Sequence, residues 1–215
     1  MIKSISLIAV FLLCAPVLGG CIGTGTVEFA RGDARVADPA PEQMRHAQTI
    51  IRIVNEFRTA NGMPPVILEA HVMKAANDKA RDFRNDWRFY HAGSDGSSPS
   101  QRVARTGYEW VEVGETLSAG QITARGAVGN LKASPCHRFA LLRAVYLHAG
   151  AAYLHTPDAP PGRYRHWWVV KLARPSSSMN WERTYPTAGA ELAERRSPPT
   201  RMRRPPGCVI REVVS

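Results

Sequence analysis

Histidine and cysteine are the side chains of this chain best able to hold a metal or move a proton near neutral pH, and it has seven of the first and four of the second. His91 lies in "FYHAGSDGSSPSQRVARTGY", residues 89–108, between an aromatic pair and a run of turn-forming residues. An imidazole there can be a ligand, or a hydrogen-bonded packing residue beside Phe89 and Tyr90; residue type alone leaves both open. His137 directly follows Cys136, His148 opens a small apolar stretch, and His166 precedes Trp167 and Trp168, where alternation along a strand accounts for it. His46, His71 and His155 fall in no pattern that assigns them chemistry. The serines of "GSDGSS" are explained by turns and capping, and no nucleophile elbow is present.

Elements must carry these residues. Met44, Ala47, Ile50, Ile51, Val54 and Phe57 recur at three- and four-residue steps from Pro41 onward, which predicts a helix ending near Gly62. Leu68, Val72, Ala75, Ala76, Lys79 and Phe83 predict a second helix over 68–84, with the Lys79 stem at its apolar edge. Ser97, Ser98 and Pro99 offer a cap and a first-turn proline for a short helix carrying Val103 and Ala104 and ended by Gly107. A fourth helix starts after Thr123 and is ended by Pro135. "HAGAAYLHT" and "RYRHWWVVKLA" read as strands joined by the turn-rich "PDAPPG", and periodicity is lost after Pro175. Helices from the first half and strands from the second imply an α+β layered domain.

The first 20 residues are expected to be a lipoprotein signal peptide. Lys3 precedes the apolar run "ISLIAVFLLCAPVLGG", and "LGGC" sets small residues immediately before Cys21, the position that would carry the lipid. Ile22, not aspartate, follows it, which favours the periplasmic face of an outer membrane in a cell with two membranes. Residues 21–40 read as a flexible tether, 41–175 as the domain and 176–215 as a basic tail rich in proline and arginine. Removing residues 1–20 leaves 27 basic against 18 acidic side chains, a net charge of +9. A basic exported protein meets anionic lipids and wall polymers, and nucleic acid is excluded by compartment. Cys14 leaves with the signal and Cys21 is taken by lipid, so Cys136 and Cys208 remain to form one disulfide.

Four segments, in order, are similar to the CAP superfamily of cysteine-rich secretory, antigen 5 and pathogenesis-related proteins, in its bacterial SCP-like branch. They are "IIRIVNEFRTANGMPPVIL", the His91 segment, "VGETLSAG" and "LKASPCHRFALL", spanning about residues 45–174. The resemblance implies a three-layer α-β-α sandwich with a cleft where two histidines and an acid converge. Carried over by position, these are His91, Glu115 and His137; His148 is either a fourth cleft group or a plain strand-end residue. The resemblance also implies a divalent cation, zinc or another, on those residues, since two neutral imidazoles and a carboxylate hold zinc while leaving a position open. Thr116, Leu131, Cys136 and Ala140 depart from the family's usual asparagine, tryptophan, glycine and asparagine. Trp168 and Val169 replace its polar Thr-Gln pair, so no polar contribution from the last strand is expected. The expected function is ligand binding, of a lipid or envelope component, at the cleft of a membrane-anchored protein. Two alternatives are a metal-dependent hydrolase, with only Asp95 and Glu112 as spare nearby carboxylates, and a structural envelope scaffold.

Overall fold

The structure is a computed structural model that describes residues 27, 29–30, 36–176 and 203–208; the signal segment, Cys21 and most of the tail lie outside the described residues. In chain order the elements are β1 (Phe29–Ala30), α1 (Pro41–Ala60), β2 (Ile67–Glu69), α2 (Ala70–Asp86), α3 (Pro99–Ala104), β3 (Trp110–Ala119), α4 (Ala124–Ala133), α5 (Pro135–Leu141), β4 (His148–His155) and β5 (His166–Pro175). The strands form one sheet in the order β1-β2-β4-β5-β3, parallel at the β1, β2 and β4 side and antiparallel through β5 and β3.

Both faces of the sheet are covered, which is why β4 and β5 read as near-continuous apolar runs. Ala149, Ala151, Trp168, Val170 and Leu172 pack with α1 and α4 on one face. Ala152, Val169 and Trp167 meet Ala76, Ala80 and Phe83 of α2 on the other, where Val103 and Tyr108 join Val113 and Ala173. The arrangement is the α-β-α sandwich. Gly150 sets the spacing of the α2 layer, because a Cβ there would lie 2.3 Å from the backbone of Val72. No larger residue fits.

Three boundaries differ from the sequence expectation. The second helix begins at Ala70, not at Leu68, because Ile67–Glu69 is a short strand paired with β4 and Glu69 caps the helix by accepting from the Val72 N–H at 2.8 Å. Pro135 does not only end a helix: α4 stops at Ala133, and Pro135 occupies the first turn of α5, where its missing N–H is no loss. The segment expected to be a tether contributes Phe29–Ala30 as an edge strand on β2. Ser98 caps α3 as expected, in a reciprocal box with Gln101.

Candidate functional site

Glu115 sits in the middle of β3, an edge strand, with its side chain 1% exposed on the α2 face. The register of β3 with β5 places Lys171 directly opposite, and its ammonium donates to Oε2 at 2.5 Å. Arg102, from the capped helix α3, donates through Nη2 to both carboxylate oxygens at 3.0 and 3.1 Å. His91 completes the set, with Nδ1 3.0 Å from Oε1. An ionised carboxylate only accepts, so Nδ1 carries a proton and donates to it, which leaves Nε2 as the ring nitrogen not committed to Glu115.

The loop bearing His91 is held from beneath. Arg102 donates to the His91 carbonyl at 2.7 Å and the Ser97 carbonyl at 2.6 Å, while the buried Lys79 ammonium bridges Asp82 at 2.9 Å and the Ala92 carbonyl at 3.0 Å. Lys79 is therefore a buried tie between helix and loop, not an edge residue lying on its stem. Asp82 accepts in turn from the Ser94 hydroxyl at 2.6 Å. Arg102 also lines a polar cavity of about 300 Å³ with Asp82, Ser94 and Asp95, distinct from the imidazoles. Its acids already face cations, as in Arg105 to Asp95 at 2.6 Å.

Electrostatics follow from this packing. Burial pushes the Glu115 carboxyl up, but Lys171, the His91 hydrogen bond and Arg102 outweigh it and hold it far below the usual carboxylate range. Burial pushes the Lys171 ammonium down to about 8 against the pull of Glu115. Two buried cations thus face one carboxylate. The ground beneath the imidazoles has a net positive charge.

His137, from α5, approaches around the β3 edge, its ring centroid 6.4 Å from that of His91. Burial first, and the charge on His91 second, lower its imidazole below the ordinary value, favouring the neutral, lone-pair form. Cys136, its neighbour, forms a disulfide with Cys208 at a Cα–Cα distance of 5.3 Å, so the tail is fastened beside the cleft. His148 goes elsewhere: its Nδ1 is 2.7 Å from the Tyr108 hydroxyl under α3, and burial lowers its imidazole to about 4. His166 stacks on His155 across β4 and β5 and meets the Tyr153 hydroxyl at 2.8 Å. Asp95 is bound to Arg105, and Glu112 points to the opposite face toward Arg143 and Tyr146, so neither joins the cleft.

A divalent cation fits this site in one way. Glu115 already accepts from His91, Arg102 and Lys171, and among the described residues no three histidine, cysteine, aspartate or glutamate side chains are placed to share an ion. His91 and His137 are the residues that would hold it, with Glu115 behind His91 fixing the ring and its tautomer. A bound cation would supply a Lewis-acidic centre with positions open to a ligand. Lys171 and Arg102 escaped the sequence reading. The signal for Lys171 was there, as a lone charge in the apolar run "HWWVVKLA", which a sheet buried on both faces tolerates only with a partner.

The sequence model of the CAP family, described as the cysteine-rich secretory protein family, matches residues 51–172, more than half of the chain and every element from α2 to β4. The chain belongs to the CAP family. The YkwD protein of Bacillus subtilis is 23% identical over 145 residues, 61% of this chain and 56% of that protein, so the chain spans little more than half of that relative. Two solved structures share the fold. An outer surface protein of Borrelia burgdorferi has a TM-score of 0.55 at 20% identity, covering 65% of this chain and 97% of its own. An extracellular protein of Bacillus anthracis containing an SCP domain has a TM-score of 0.53 at 17% identity, covering 64% and 45%.

Proposed function

We propose that this CAP protein is held in the extracytoplasmic envelope by a lipid on Cys21 and binds an envelope ligand at the His91 and His137 pair. The observation that carries the reading is the Lys171–Glu115–Arg102 cluster, which orients a half-exposed imidazole with its Nε2 open to solvent. Such a buried ion cluster is expensive unless every charge is paired, and its one solvent-facing product is the set of His91. The positive ground beneath favours a ligand with an anionic head group, such as an anionic lipid or wall polymer. A divalent cation held by the two imidazoles would strengthen that preference, and its affinity would be modest because Arg102 and Lys171 repel it.

Binding accounts for the site better than turnover does. A hydrolase would need a carboxylate free to take a proton, and Glu115 has no spare acceptor position facing the imidazoles. The extracellular and outer-surface descriptions of the Bacillus anthracis and Borrelia proteins support the extracytoplasmic placement. The test is zinc-dependent melting of the purified protein beside a His91→Ala, His137→Ala variant. A midpoint that rises with zinc only in the parent supports the pair as a cation site, by mass action on the folded state. Equal responses in both proteins would remove the cation from the reading.

A further inference from the structure

The four large apolar side chains exposed among the described residues are Phe89 (39%), Tyr90 (64%), Ile122 (75%) and Tyr164 (49%). They belong to three loops that meet at one end of the sheet. The Phe89 and Tyr164 rings are 5.9 Å apart, and Tyr164 lies over Gly120, where a Cβ would be 3.3 Å from its ring. Trp167 forms the floor, edge-on to Tyr164 at 5.7 Å and stacked on Phe83 at 4.6 Å, so the exposed rings stand on rigid packing. Arg163 and Arg165 flank Tyr164 and have no acidic partner among the described residues. Aromatic side chains preset on a rigid base beside unpaired guanidinia make a recognition surface for something flat and anionic.

We infer that this tip docks an anionic glycan of the envelope. Sugar rings would stack on Tyr90 and Tyr164, and their carboxylate or phosphate groups would pair with Arg163 and Arg165. The choice of a glycan over a bilayer comes from the connectivity, and that step rests on the Cys21 anchor proposed above. β1 is parallel to β4 and enters at the opposite end: Phe29 registers with Leu68, and Leu68 with Ala149. From Ala149 to His155, at the tip, is about 20 Å at the rise of a strand, and Val27 lies about 7 Å further back. The six steps from Cys21 to Val27 reach at most about 20 Å. A lipid at Cys21 therefore cannot let the tip stand end-on against its own bilayer. The tip faces outward, toward the wall.

The test is co-sedimentation of the full-length protein, in mild detergent, with purified cell-wall sacculi. A Tyr90→Ser, Tyr164→Ser variant and an Arg163→Gln, Arg165→Gln variant are run beside the parent, with melting curves showing that each is folded. The expected result is retention by sacculi that falls at least tenfold in both variants, and is unchanged in Glu112→Gln, whose partners Arg143 and Tyr146 touch neither the tip nor the imidazoles. Retention that ignores the tip variants, absence of retention, or tip-dependent displacement by micelles containing phosphatidylglycerol would each overturn the glycan assignment. Mass analysis of Cys21 in the same preparation separates the two readings: an unmodified Cys21 with tip-dependent retention intact removes the anchor and leaves the docking surface.

Discussion

Two carboxylates three residues apart on β3 have opposite fates. Glu115 faces α2 and α3, and Glu112 faces α1 and α5; both are buried, and each accepts from an arginine, Arg102 in the first case and Arg143 at 2.6 Å in the second. The ring-bearing partner makes the difference. Glu112 takes the Tyr146 hydroxyl at 3.0 Å, a group burial pushes toward its neutral form, and that cluster closes on itself. Glu115 takes His91, whose side chain is 48% exposed, and so transmits a fixed orientation to the surface. A buried ion pair becomes part of a site when one of its partners reaches solvent, and is otherwise part of the core.

The comparison breaks most visibly at Glu115. Replacing it with alanine strands Lys171, which is 0% exposed, and Arg102 at 5%, without a counter-charge. Removing one partner of such a pair costs about 3–5 kcal/mol. Chemical denaturation of Glu115→Ala should show a loss of that size, together with loss of any zinc response that His91 supports. A loss below about 1 kcal/mol would mean that water reaches the cluster.

Acid sharpens the contrast between closed and open histidines. His148, sealed against Tyr108, titrates at about 4 in the folded protein against an ordinary 6.5. Between those values the unfolded chain binds the proton and the folded chain does not, so stability rises with pH across the window and falls on acidification. The full gap corresponds to about 3 kcal/mol. His137, also lowered by burial, acts in the same direction. Glu115 extends the loss to lower pH, because the stability its depressed carboxyl contributes is complete only above the unfolded carboxylate range and is lost as pH falls from there toward its folded value. Melting temperature should fall between pH 6.5 and 4, and His148→Gln should flatten the slope.

Much of this was legible in the sequence because it is local. The Ser98 cap with Pro99, the apolar face of α1, the two late strands and the pairing of the two remaining cysteines need only neighbours or compartment. The four ordered family segments named His91, Glu115 and His137, and the structure brings Glu115 onto His91 with His137 beside it. What escaped was long-range. "WVEVGETLSA" has polar residues directed to both faces, so no alternation marks it as the strand that carries the site. Its acids are tolerable only because Lys171, Arg102 and Arg143 arrive from segments up to 56 residues away. His148 was read as a possible cleft group from its position in the motif order, and Tyr108 claims it instead. Lys171 was hidden behind the loss of the family's polar pair at Trp168 and Val169, although it lies on the same strand two residues on.

The mildest perturbation is the most specific to the comparison. Glu112→Gln keeps the volume and one acceptor but turns an N–H₂ toward Arg143 and Tyr146, so one buried hydrogen bond is lost and a cation loses its partner. Arg143 is 28% exposed and can turn to water, which Lys171 cannot do, and the expected loss is about 1–2 kcal/mol. Nothing in that cluster touches His91, so zinc-dependent melting and retention on sacculi should match the parent. If Glu112→Gln were instead to erase the zinc response, β3 would be transmitting strain from one face to the other, and the two clusters would have to be treated as one unit spanning the strand.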